Sequence, residues 1–110
     1  MRTLKFIVND QIITQDPNCD FNNLVPGTEG YLKAEFSFSP EWKDCVKVAG
    51  FWSAMGVEYQ PQVLADGYSC MIPADALKKQ IFKIEILGKK RGGITLKTNR
   101  VTVTQDGGRE

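Results

Sequence analysis

A chain of 110 residues, 42% hydrophobic and 25% charged, has the size and composition of one globular domain, which excludes global disorder and leaves no room for a second core. The net charge of +1 hides an uneven distribution: residues 1–77 carry five Lys or Arg against ten acids, whereas residues 78–100 carry eight against Glu85 alone. No run approaches the roughly 20 apolar residues of a membrane span, and Met1 to Asp10 is too briefly apolar for a signal peptide. The expected setting is a cytoplasm, or release from one by lysis, with no membrane partner.

Taken in chain order, Leu4 to Val8 and Gln11 to Thr14 are short β-prone runs joined at Asn9-Asp10, so the chain is expected to open with a hairpin. Asp16 to Gly30 collects prolines, asparagines, aspartates and glycines, a loop composition from which Cys19, Phe21 and Leu24 can tuck back onto a core. Tyr31 to Ser39 then alternates Leu32, Ala34, Phe36 and Phe38 against Tyr31, Lys33, Glu35 and Ser37, the pattern of a half-buried strand. Pro40 cannot donate to a ladder, so the strand stops and Trp42 turns back toward the core. Val46 to Ala54 predicts another strand, with a reversal at Gly56. Alternation there splits Phe51 from Trp52, leaving one inside and the other covered by a loop or exposed.

Val57 to Leu64 follows, with Pro61 pointing to an edge or a bulge, and Asp66-Gly67 predicts a turn across which Tyr68 to Ile72 pairs back. Pro73, Asp75 and the lysines at 78 and 79 predict one or two turns of helix over residues 74–79, plugging one end of the sheets. Gln80 to Leu87 sets Phe82, Ile84 and Ile86 against Lys83, Glu85 and Leu87 and ends at Gly88. Gly92-Gly93 separates it from Ile94 to Leu96, Thr98-Asn99 turns again, and Val101 and Val103 alternate in a last strand before a frayed tail, Gln105 to Glu110. Short strands with frequent turn signals and no long helix fit an antiparallel sandwich, with a small barrel as the structural rival.

The chemistry is sparse. Without histidine the commonest general base and metal ligand are missing. Cys19, Cys45 and Cys70 are spaced 26 and 25 residues apart, unlike any close-paired metal pattern, and read as reduced, mostly buried thiols. Gly88 to Gly93 lacks the strand-to-helix context of a phosphate loop, and Asp16 and Asp20 are explained by turns. The expectation is no enzyme, no catalytic residue, no metal and no cofactor. Two features are candidate interaction surfaces: Trp52, as an exposed aromatic anchor, and the basic tip Lys89, Lys90 and Arg91, which otherwise reads as a solvated hairpin end. No aromatic lies beside the lysines on an exposed face, which argues against nucleic acid.

Leu4-Lys-Phe-Ile-Val8, Gly30 to Trp42, Val46-Lys-Val-Ala-Gly-Phe51, Cys70-Met-Ile-Pro73 and Thr98-Asn-Arg-Val-Thr-Val103 together resemble a small domain found in phages and prophages of Gram-positive gut bacteria. The resemblance spans nearly the whole chain and rests on structural motifs, so no catalytic or ligand residue comes with it. It implies a tail, baseplate or head-fibre module. The resulting expectation is an all-β fold, one domain over residues 1–110: an immunoglobulin-like antiparallel β-sandwich of about seven to nine short strands with one short helix near residues 74–79. Its partners would be other virion proteins or a host protein, with self-association left open, and its location the virion or the cytoplasm of the infected bacterial host. The alternative is a phage-encoded inhibitor of a host defence protein, or a sponge for its nucleotide signal, with Lys89 to Arg91 facing the acidic target.

Overall fold

The computed structural model describes residues 1–106 and contains two sheets packed face to face around one cluster of buried side chains. Strands β1 (Arg2–Asn9), β2 (Ile12–Gln15), β3 (Leu32–Phe38) and β6 (Ser69–Met71) form the first sheet, in the order β2-β1-β3-β6. The second contains β4 (Val46–Ser53), β5 (Gln62–Val63), β7 (Ile81–Lys89), β8 (Thr95–Lys97) and β9 (Val101–Thr104). Its order is β5-β4-β7, with β8 and β9 both paired to β7. A mostly β, sandwich-like architecture is therefore present.

The alternation read in the sequence sets the faces. Leu4, Phe6 and Val8 of β1 lie level with Ala34, Phe36 and Phe38 of β3, and they face Ala49 and Phe51 of β4 and Phe82, Ile84 and Ile86 of β7. Phe6 stacks on Phe36 with centroids 5.5 Å apart, and Phe38 lies 5.5 Å from Trp42. Pro40 ends β3 as expected, through a single 3-10 turn (Pro40–Trp42) that drives Trp42 into the core with no exposure at all. The indole N–H is satisfied there by the Asp10 carbonyl at 2.6 Å.

The opening hairpin forms, but its turn falls on Asp10 and Gln11, with Asp10 in the left-handed region at φ 55°. One pairing departs from an all-antiparallel sandwich: β1 and β3 run parallel. The cause lies in the loop between them. After β2 the chain returns to the end where β1 began, and the Arg2 guanidinium pins it by donating to the carbonyls of Asp20, Asn22 and Asn23. Leu24 is buried, and Phe21 meets Phe6 edge-on at 5.4 Å.

Four further expectations are corrected. Val57 to Leu64 shrinks to the two-residue strand β5 plus a bridge between Trp52 and Glu58, because Pro61 interrupts it. Across the Asp66-Gly67 turn β6 does not pair with β5: it joins β3 in the opposite sheet, so that turn carries the chain between sheets. The Asp66 carboxylate organises the crossing by accepting from the Ser69 hydroxyl and from the amides of Tyr68 and Ser69, and these bonds hold its pKa below the ordinary value. In place of a short α-helix over 74–79 there is one 3-10 turn, Ala76–Lys78, whose Ala76 and Leu77 are fully buried. Finally, Gln105 is not frayed: its side-chain amide is buried and donates to the carbonyls of Leu77 and Lys79, at 3.0 and 2.8 Å. The rest of the expected frayed segment from residue 107 onward lies outside the described residues.

Thr98-Asn99 does not turn the chain. Between Leu87↔Lys97 and Ile84↔Val101, two residues of β7 face three of the opposite strand, so Thr98 to Arg100 is a β-bulge in one broken strand. The Thr98 hydroxyl fills the ladder by accepting from the Ile86 amide at 2.9 Å. Asn99 is thrown toward β2, where its side-chain carbonyl accepts from the Ile13 amide at 2.7 Å, while Gln11 and Gln15 donate to Lys97 and Thr102. That seam of side-chain bonds links the edges of the two sheets without a continuous barrel ladder.

Candidate binding face and basic end

The β4–β7 ladder forms the centre of the main candidate site, with Val63 of β5, Lys97 of β8 and Arg100 of the bulge added from either side. With Phe51, Ile84 and Ile86 committed to the core, the residues between them must project outward. From one end to the other, the rows on that outer face are Trp52 beside Lys83, Gly50 beside Glu85, Val63 and Val48 beside Leu87 and Lys97, and Val46 beside Lys89.

Trp52 is half-buried. Its indole N–H donates to one Glu85 carboxylate oxygen at 3.0 Å, and Arg100 pairs with the other at 3.2 Å. The Arg100 guanidinium also lies over the indole, 3.7 Å from the ring centroid. Of the two expectations for Trp52, loop cover or exposure, neither is met in full: this one side chain, which the bulge aims across the face, covers part of the ring. Glu85 is consequently 8% exposed although it sits on the outside of its sheet. Gly50 makes the room: a Cβ there would approach Glu85 Cγ at 3.2 Å and the indole nitrogen at 3.3 Å.

Next to this polar cluster the face is apolar. Val46 and Val63 are 67% and 62% exposed, and Val48 and Leu87 lie between them and the strands beyond. Lys83, Lys89 and Lys97 border the band, and the acid nearest it, Glu85, is already paired with Arg100. Beyond Trp52, the β4–β5 loop forms an apolar hollow of about 560 Å³ lined by Met55, Val57, Tyr59 and Ile81, with Lys79 at its side.

The basic tip is elsewhere. Trp52 lies six positions along β4 from Val46, the partner of Lys89, which places Trp52 and Lys89 about 20 Å apart at ~3.3 Å per residue. Lys89 belongs to the outer face. Lys90 and Arg91 instead meet Lys43 and Asp44 around a hollow of about 490 Å³. Trp52 and the tip are thus two sites, not one.

Glu85, Arg100, Val48, Val63, Leu87, Lys97 and Lys43 escaped the sequence reading. A signal for part of the face was present: Val46, Val48 and Trp52 make the outward side of β4 apolar as well, and Leu87 interrupts the polar side of β7. Nothing local announced Lys43, which depends on a long-range approach of two loops.

Cys19, Cys45 and Cys70 are free and half-buried. Burial pushes the Cys70 thiol up to about 12, with the Asp66 charge adding to the effect. Among the described residues no group of three or more Cys, Asp or Glu is placed to hold a metal ion, and no helix is long and apolar enough to cross a membrane. No family model, no curated protein and no solved structure matches the chain.

Proposed function

We propose that this domain is a non-enzymatic binding module that docks through the outer face of its second sheet. A single observation carries the reading: Val46, Val48, Val63 and Leu87 form an apolar band on a sheet face that no other element among the described residues covers, bordered by lysines. A partner surface with an apolar centre and an acidic rim complements it, with the Trp52–Arg100 stack as a rigid anchor beside the band. The resemblance of the segment order to phage structural domains supports placing that partner in a virion, with this chain as a tail, baseplate or head-fibre accessory. The two-sheet sandwich, at about the size of an immunoglobulin domain, supports reading the fold as immunoglobulin-like despite its parallel β1–β3 pair.

Mass spectrometry of purified particles from the virus encoding the chain tests both parts. Many copies per particle are expected. The double variant V48D/L87D should keep its fold and disappear from particles, while K33D on the opposite sheet should still assemble. Absence of the native chain would refute the virion role. Normal incorporation of V48D/L87D would refute the face.

The cation cluster at Lys89, Lys90 and Arg91 favours a second reading, in which the domain acts inside the infected cell on an acidic host defence protein or its nucleotide signal. There, reversing those three charges should abolish protection of the phage. Unchanged protection would rule that mechanism out.

A further inference from the structure

We infer that the hollow between the Trp42–Cys45 loop and the Lys90–Gly93 loop binds a compact, multiply charged phosphate anion of the pyrophosphate class. Its lining is Lys43, Asp44, Lys90 and Arg91, three cations against one acid, around about 490 Å³. Among the described residues none of the three cations forms an ion pair; the pairs present join Lys5 to Glu35, Lys78 to Asp75 and Arg100 to Glu85. Lys47 and Lys89 stand on the adjoining ends of β4 and β7 and add to the positive field.

Both walls are held in place before any ligand arrives. Trp42 is fully buried beneath β7, so close that a Cβ at Gly88 would lie 2.7 Å from its ring. The Lys43 and Cys45 amides bond to Pro40 and Trp42 carbonyls at 3.1 and 3.2 Å, fixing the first wall. The Lys90 amide donates to the Ile94 carbonyl at 2.9 Å and closes the second, while Gly92 and Gly93 supply the left-handed turn at φ 85° and 83°. A fixed loop backbone reduces the ordering needed on binding, and the Arg91 fork suits phosphate oxygens.

The lining also limits what is recognised. It contains no aromatic ring, and Trp42 is sealed beneath it, so a nucleobase has nothing to stack on. Selection acts on phosphate charge. Asp44 opposes the anion, which gives the site a diagnostic sign: removing that carboxylate should tighten binding. Asn tolerates the left-handed conformation that Asp44 adopts at φ 65°, so Asp44→Asn preserves the loop. The residues that line the hollow lie off the outer face of the second sheet, and only Lys89 borders both.

Titration of the isotopically labelled full chain with inorganic phosphate, pyrophosphate, tripolyphosphate, ATP and adenosine, followed by amide NMR shifts, tests the assignment. At about 0.1 M ionic strength, charges beyond roughly 10 Å are screened and a local site stands out. Pyrophosphate should produce saturating shifts at Lys43, Asp44 and Lys90 to Gly93, binding more tightly than phosphate. ATP should match tripolyphosphate, and adenosine should do nothing. K90E/R91E should weaken pyrophosphate about tenfold or more, as expected for losing charged hydrogen bonds, and D44N should strengthen it, with shifts elsewhere confirming the native fold. Non-saturating shifts, equal binding by K90E/R91E, weaker binding by D44N, or saturable binding of adenosine would each overturn the inference.

Discussion

The outer faces of the two sheets belong to the same sandwich and obey different rules. On the first, Thr3, Lys5, Lys33, Glu35 and Ser37 alternate with the core residues of β1 and β3, and Lys5 faces Glu35 across a 4.0 Å ion pair. That surface is largely polar, with Ile7 and the edge residues Ile12 and Met71 as its apolar members. The second turns Val46, Val48, Val63 and Leu87 to the outside and keeps one carboxylate nearly buried beneath a tryptophan and an arginine. A fold needs only one apolar face per sheet, so the second outer face is more apolar than holding the domain together requires, which is the basis of the docking proposal.

The largest expected effect lies just behind that surface. Phe51 and Trp52 are neighbours on opposite sides of β4, and Phe51→Ala should cost about 3–5 kcal/mol through the cavity it leaves. Trp52→Ala should cost about 1–2 kcal/mol, for one hydrogen bond and one cation–π contact. Urea denaturation of both variants measures the gap, and equal losses would show the outer face to be part of the core's own stability.

Glu85→Ala strands both the indole N–H and the Arg100 guanidinium, an expected loss of about 1–3 kcal/mol in the same measurement. Glu85→Gln retains an acceptor and should lose less. If the two variants are indistinguishable, a neutral acceptor contributes nothing and the cluster depends on the carboxylate's charge.

Cys70 tests the inner side of the first sheet. Its folded pKa is raised from 9.0 to about 12, so the folded chain keeps a proton that the unfolded chain releases. Its contribution is complete below about pH 9 and declines as pH rises toward 12, by at most about 1.4 kcal/mol per pH unit. The stability advantage of the native chain over Cys70→Ala should therefore shrink between about pH 8 and about pH 10.5. A constant difference would mean that the thiol is solvated. The smallest effect belongs to the solvated surface: Lys5→Ala or Glu35→Ala should change stability by about 0–0.5 kcal/mol, and a larger loss would erase the distinction between the two outer faces.

Much of this architecture was legible from alternation alone. The inward sets of β3 and β7, the burial of Trp42 after Pro40 and the split between Phe51 and Trp52 follow from a period of two and one proline. What could not be read was pairing across distance. The parallel β1–β3 pair follows a loop that Arg2 ties through three carbonyls distant in sequence, and β6 changes sheets at a turn whose residues equally suit a simple hairpin. The site was half visible for the same reason. Trp52, Lys89, Lys90 and Arg91 stood out by residue type, but their placement at two separate ends required the ladder. Arg100 reaches Trp52 only because one extra residue bulges the last strand, and no local pattern marks that insertion.

The seam between Asn99 and β2 has a consequence for how the chain acquires this shape. Its bonds join residues 86 apart in sequence, and the Gln105 amide fastens the turn at Leu77 from the far end of the last strand. A nascent chain can form the first hairpin early, but it cannot close the sandwich until Asn99 and Gln105 are available. Folding is therefore expected to be slow for a domain of this size, in the millisecond-to-second range typical of β domains dominated by distant contacts.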